Sequence, residues 1–332
     1  MSTRTILAGG MLALAGTIGD VPADAGQIFA TFDAPGSAAT YAFSINSAGA
    51  IAGYYEDSNY AEHGFVRAPG GTITSFDPTG ATNTVAYGIN SAGSIAGSYW
   101  DSSFVAHGFV RAPDGTITVF DPPGSVGTIA SGINHAGAIA GYYADSSFVE
   151  HGFVRAHDGT ITTFDPSGST GTFVNGINAT GSVVGFYNDS NNEEHGFVRA
   201  PDGTITEFDP KGSSDTQANS INKTGWIAGA YINGVDHGFV RAPDGTITEF
   251  DPSGSTYTFP AGIDGKGAIT GSYEDSIYVQ HGFVRTPDGS FKTFDPPGSV
   301  NTTAASMNNR RSIAGYYLDG NYVPHGFLRS RK

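Results

Sequence analysis

The tripeptide His-Gly-Phe occurs seven times, at His63, His107, His151, His195, His237, His281 and His325, at intervals of 42 or 44 residues. Six residues before most of these histidines stands an aspartate: Asp57, Asp101, Asp145, Asp189, Asp275 or Asp319. A serine follows in several copies, and Ser, His and Asp within reach of one another make a nucleophilic triad, the imidazole taking the hydroxyl proton. Multiplicity speaks against that chemistry. Seven equivalent triads would need seven oxyanion sites, and Ser58, Ser102, Ser146, Ser190 and Ser276 have no counterpart in the fifth and seventh copies. Each copy also carries a Thr, an Arg four residues after the His, and an Asp after a Phe. Buried polar groups need partners, so Thr128, His151, Arg155, Asp165 and their equivalents are expected to form a structural network tying strands together. His151 and Arg155 stand at alternate positions of one strand and should reach the same neighbour.

The third copy shows which elements position these residues. Thr128–Asn134 reads as a short strand ended by the turn His135-Ala136-Gly137, and Ala138–Tyr143 as a second. His151–Arg155 is a third, closed by the hairpin turn His157-Asp158-Gly159, where glycine can take positive φ. Thr160–Phe164 alternates β-branched residues as a fourth strand should, and Asp165-Pro166-Ser167-Gly168 ends the unit. Four short strands in about 44 residues predict a β-propeller blade. The predicted fold is all-β: a seven-bladed β-propeller of four antiparallel strands per blade, one domain over 26–332.

The chain ends predict how the ring closes. Phe-Asp, which ends the fourth strand, recurs from Phe32 to Phe294, and its first occurrence precedes any complete unit. The last unit stops after its third strand. The N-terminal segment Gln27–Asp33 should therefore supply the outer strand of the seventh blade, which removes an exposed edge.

The units, His-Gly-Phe-Val-Arg followed by Pro-Asp-Gly-Thr-Ile-Thr-x-Phe-Asp, resemble the bacterial extracellular HAF-repeat family, with Gly as the middle residue. That resemblance covers Gly26 to Arg329 and implies a secreted or cell-envelope repeat protein with no established catalytic residues to carry over. The shared polar network is similar in kind to that of WD-repeat propellers. Asp-Gly-Thr-Ile-Thr-Glu-Phe, at 202–208 and 244–250, resembles the blade ends of streptogramin lyases, though only over a generic hairpin.

The copies differ most in the loop between the second and third strands, which should share a rim with the linkers between blades. Exposed aromatics stand there beside carboxylates: Tyr60, Trp100, Phe104, Phe148, Tyr278 and Tyr322. The inner strand varies at two positions, Tyr41, Val85, Ile129, Phe173, Gln217, Phe259, Thr303 and Phe43, Tyr87, Ser131, Asn175, Asn219, Ala261, Ala305. If these face the channel, one side is aromatic and the other polar, as an oriented ligand pocket requires. Neither row offers an acid or base. The candidate ligand-binding residues are therefore Tyr41, Phe43, Tyr87, Phe173, Asn175, Gln217, Asn219 and Phe259 with the loop aromatics.

Composition narrows the partners. The net charge of −15 argues against nucleic acid, whose binding relies on a basic face. The chain has no cysteine, which excludes disulfides and thiolate chemistry. Residues 1–25 read as a signal peptide, with Arg4, an apolar run from Ile6 to Ile18 and Ala23-Asp24-Ala25 before the cut. That run is too short for a membrane span of about 20 residues. No cofactor is expected; the acidic loops leave room for Ca²⁺ but hold no dense Asp-x-Asp-x-Asp-Gly run. The leading expectation is a secreted or periplasmic monomer that binds a glycan or another extracellular or envelope ligand through its variable rim and channel mouth. The alternative is a polysaccharide lyase or hydrolase, streptogramin-lyase-like or lactonase-like, using Glu56, Glu62, Glu193 or Glu194 as general base.

Overall fold

The computed structural model describes residues 27–331. They form seven four-stranded antiparallel sheets, six of them built from four consecutive strands. In the third blade the strands run Gly127–Ile133, Ile139–Ala144, Glu150–Arg155 and Ile161–Phe164, from the innermost outward. In the seventh sheet, Gln27–Phe32 lies antiparallel along Pro324–Arg331, in register from Gln27↔Arg331 to Phe32↔Gly326. This is the three-plus-one closure that the sequence predicts. The candidate signal peptide lies outside the described residues. Among the described residues no helix is long and apolar enough to cross a membrane.

The core sits between blades. Each apolar cluster draws on two neighbours: Ala52 of the first blade packs with Ala86, Ile95 and Phe109 of the second. Across the closure, Ala314 and Leu328 pack with Ala42, Ile51 and Phe65. The Phe of each His-Gly-Phe is fully buried and meets the outer-strand Phe of the preceding blade edge-on, as Phe120 meets Phe153 at 6.0 Å between centroids. Burying such a ring stabilises by about 1.5–3 kcal/mol, and the edge contact adds about 0.5–1.5 kcal/mol.

The middle glycine has its own steric reason. A Cβ on Gly152 would come within 2.6 Å of the Phe164 ring, which lies flat over it from the adjacent outer strand. Inner strands carry a bulge, seen in the third blade between Ile129 and Gly132. Bulges sharpen twist and re-aim side chains. In the first blade Phe43 is the unpaired residue, between Ala42 and Ser44, and it packs edge-on against Tyr54.

Candidate functional site

The repeated polar residues form a scaffold between blades. Each repeat His places Nδ1 within 2.7–2.8 Å of the Asp that follows the outer strand, as His151 does with Asp165. In the first, second, third, sixth and seventh blades Nε2 faces the loop Asp at 3.5–3.8 Å. In those five blades both ring nitrogens thus meet carboxylates, an arrangement that does not match a serine triad. That loop Asp shapes its own turn: Asp145 Oδ1 accepts the backbone N–H groups of Ser147 and Val149. At His281 the hydrogen bond to Asp295 outweighs desolvation and, with Asp275 nearby, holds the imidazole above its ordinary pKa.

Two details differ from the sequence expectation. The Thr that joins the pair belongs to the next blade: Thr172 donates to Asp165 at 2.6 Å, and Thr128 lies by Ser125 instead. Arg155 does not reach the neighbour of His151. Its guanidinium lies 4.8 Å over the ring of Phe120 in the preceding blade, and the same Arg-on-Phe contact recurs in every blade. A half-buried guanidinium is better accommodated on an aromatic face than beside empty apolar surface.

The two ends of the channel are built differently. At the end formed by the first turns, a belt of asparagines runs round the ring. Asn46 donates to the Asn90 carbonyl, Asn90 to Asn134, Asn134 to Asn178, Asn178 to Asn222 and Asn222 to Asp264, at 3.0–3.2 Å. Asn308 donates to Asn46 at 3.0 Å and closes the circuit across the chain ends. The belt is interrupted where Asp264 replaces Asn, and there Arg311 turns in to meet the Asp264 carboxylate at 3.4 Å. This belt was not anticipated from the sequence, although Ile-Asn recurs there in five copies and Met307-Asn308 in the last. Ile45, Ile89, Ile133, Ile177, Ile221, Ile263 and Met307 line a cavity of about 300 Å³ at this end.

The other end carries the variable loops and a cavity of about 420 Å³. Of the candidate ligand-binding residues, Phe43, Tyr87, Asn175 and Phe259 line it directly, with Ile129, Ser131 and Thr303 from the same rows. Tyr41 stacks on Tyr54 at 4.6 Å and meets Tyr316 edge-on at 5.0 Å. Phe173 stacks on Phe186 at 4.9 Å. On the polar side Gln217 Nε2 donates to Glu194 at 2.6 Å, and Asn175 and Asn219 donate to the Ala218 and Pro260 carbonyls. Sequence reasoning missed Tyr54, Tyr142, Phe186 and Tyr316, which stand on the second strands directly opposite the first variable row.

Carboxylates surround this mouth. Glu56 and Glu62 sit directly opposite each other on adjacent strands. Burial, opposed by a hydrogen bond from Asn83 and reinforced by Glu56, lifts the Glu62 carboxyl above its usual range. Burial, with Glu56 and Glu62 nearby, likewise raises the Tyr41 hydroxyl, which donates to Glu56. Burial beside Asp236 and Glu274 pushes Tyr257 up to about 12.

Around the lip the loop aromatics stand out. Tyr60, Phe104, Phe148, Tyr278 and Tyr322 are 61–87% exposed. All five adopt φ of 60–64°, a region that bulky side chains avoid. Trp100 ends a second strand and is less exposed; its carbonyl accepts a bond from the Thr82 hydroxyl in the linker. In the fourth blade Asn192 and Glu193 replace the aromatic and its aliphatic neighbour. There Asp189, Glu193 and His195 bring ligand atoms within 4.8 Å of one another, an arrangement able to hold a cation.

No family model and no curated protein sequence matches the chain. Solved structures do match in fold. A streptogramin B lyase aligns with a TM-score of 0.61 at 13% identity, over 92% of this chain and 98% of the other. Virginiamycin B lyase from Staphylococcus aureus aligns at 0.58 and 12% identity, over 91% and 99%. A puromycin hydrolase aligns at 0.63 and 12% identity over 89% of this chain but 53% of its own. At such identities the likeness is one of architecture: the chain is a seven-bladed β-propeller.

Proposed function

We propose that this protein is a secreted or envelope-associated binding propeller that takes a glycan or a comparable extracellular ligand on its variable-loop face. The observation that carries this reading is the crown of five exposed aromatics held at positive φ. Backbone strain of this kind costs of order 1–3 kcal/mol per residue and persists where function uses it. Asn192 occupies the same position in the fourth blade at φ 64° with a residue that tolerates it. The aromatic tips therefore oppose local preference in five blades. Aromatic faces beside carboxylates stack on sugar rings and accept hydroxyl hydrogen bonds. The resemblance of the units to HAF repeats and the export-like N-terminal stretch support an extracellular site of action.

Glycan-array binding compared between the native chain and a variant with Tyr60, Phe104, Phe148, Tyr278 and Tyr322 all changed to Asn tests the proposal. Native binding that disappears in the variant is the expected result. Native binding that survives unchanged, or an array with no binding at all, overturns it.

A second reading has one observation in its favour. Glu62 is a half-buried carboxyl of raised pKa beside Tyr54 and Tyr87, as a general base is. The streptogramin B lyase, matched over 98% of its own chain, is an enzyme of this architecture, though fold alone does not transfer its activity. Turnover of polysaccharides or lactones that Glu62→Gln abolishes would establish this reading over the first.

A further inference from the structure

We infer that the mouth on the variable-loop face binds an organic ammonium group. This rests on the reading of that mouth as a binding site and narrows its ligand class. The cavity walls supply π-faces: Phe43, Tyr87, Tyr142, Phe259 and Tyr316 line it, and Tyr54 packs edge-on against Phe43 at 5.4 Å. The negative face of an aromatic ring attracts a cation, more strongly where water is excluded.

The lip supplies charge. Glu56 and Glu62 stand directly opposite each other, an arrangement of like charges that destabilises a strand pair. The corresponding pairs elsewhere are Trp100 with Ala106, Ala144 with Glu150, Asn188 with Glu194, Ile232 with Asp236, Glu274 with Gln280, and Leu318 with Pro324. The double carboxylate therefore belongs to the first blade, and it faces the tyrosine-rich side of the mouth. Tyr41 bridges the two features, stacking on Tyr54 while its hydroxyl donates to Glu56.

Lys211 is the one Lys or Arg in the loops and blade linkers of this rim among the described residues. An ammonium group between Glu56 and Glu62 would relieve their repulsion while its C–H and N–H edges contact the rings. A neutral sugar would leave that repulsion in place, and an anion would add to it. A bare metal ion would gain little from the aromatic walls.

Isothermal titration of the full chain with a glucosamine tetramer, its fully N-acetylated counterpart and benzyltrimethylammonium tests this. We expect the two cations to compete for one site and the acetylated tetramer to bind about tenfold more weakly or worse. Glu56→Gln with Glu62→Gln should weaken both cations about tenfold, with a melting temperature unchanged or raised because a like-charge pair is removed. Tyr54→Ala should weaken both as well, and Asp158→Asn, in the hairpin turn on the opposite rim, neither. Equal affinity for the acetylated tetramer leaves the binding site standing and overturns the ammonium assignment. Cation binding indifferent to the double Gln variant overturns it too, as attraction to a generally acidic rim. Binding of none of the three overturns the site and the assignment together.

Discussion

The two mouths of the channel are made from the same repeat, yet one is nearly uniform and the other differs in every blade. At the asparagine end, equivalent turns face one another and all but the sixth hand a hydrogen bond to the next. At the variable end, the corresponding positions hold tyrosine, phenylalanine, glutamine, serine or alanine, and the loops hold aromatics at unfavourable backbone angles. A ring of identical groups serves closure, because each unit needs the same grip on its neighbour. A ligand without sevenfold symmetry needs unequal neighbours. The difference between the mouths separates the part that holds the ring from the part available for recognition.

The largest effect that could break this contrast comes from the belt. Asn90→Ala removes, at a buried position, a donor to the Asn134 carbonyl and an acceptor for the Ala92 and Ser94 N–H groups. It should destabilise by about 1–3 kcal/mol in urea unfolding, whereas Asn175→Ala at the other mouth should cost less. Equal costs would erase the distinction.

A somewhat smaller effect runs in the opposite direction. Changing Tyr60, Phe148 or Tyr278 singly to Gly should stabilise by up to about 1 kcal/mol, because glycine adopts positive φ without steric penalty. Denaturation midpoints that fall instead would mean the rings have stabilising contacts. The interruption in the belt offers a finer test. Asp264→Asn with Arg311→Gly should restore the continuous circuit and relieve the positive φ of Arg311, gaining about 0.5–1 kcal/mol over Asp264→Asn alone.

The smallest effect is a pH dependence at the His281 pair. His281 has a raised pKa in the folded protein, so its contribution is fully present below the unfolded value and is lost as pH rises through the folded one. His281→Gln should therefore narrow the stability difference between about pH 6 and pH 8, by well under about 1 kcal/mol because the pair is partly exposed. The loop Asp275 is shifted the other way: burial works against its backbone hydrogen bonds from Val279 and Ile277, and those bonds with His281 win. Its contribution is present above its unfolded value and fades as acid protonates it.

Much of the fold was legible because each repeat spells its own boundaries. Asp-Pro stops a strand, Asp-Gly turns a hairpin, and His-Gly-Phe marks the third strand. The Phe-Asp before the first unit and its absence after the last gave away the closing strand. The rows of Tyr41 and Phe43 were legible for the same reason, through alternation along a strand. The row of Tyr54 was not, because Tyr54 and Tyr55 are adjacent and alternation alone cannot say which faces the channel; Tyr55 packs on His63 instead. Contacts between different repeats were equally hidden: nothing within one copy shows that Arg155 lies on Phe120 or that Thr172 completes the His151 pair. A turn residue such as Tyr60 gives no sign in sequence of its backbone angle.

The seam that joins Gln27–Phe32 to Pro324–Arg331 also sets an order of events. Of the described strands, Gln27–Phe32 is made first and pairs with the one made last, so the slowest step should be the search that brings these two strands together. Moving that strand to follow Lys332 by circular permutation would turn the search into a local hairpin. Refolding should then accelerate while the finished ring keeps the same seven sheets.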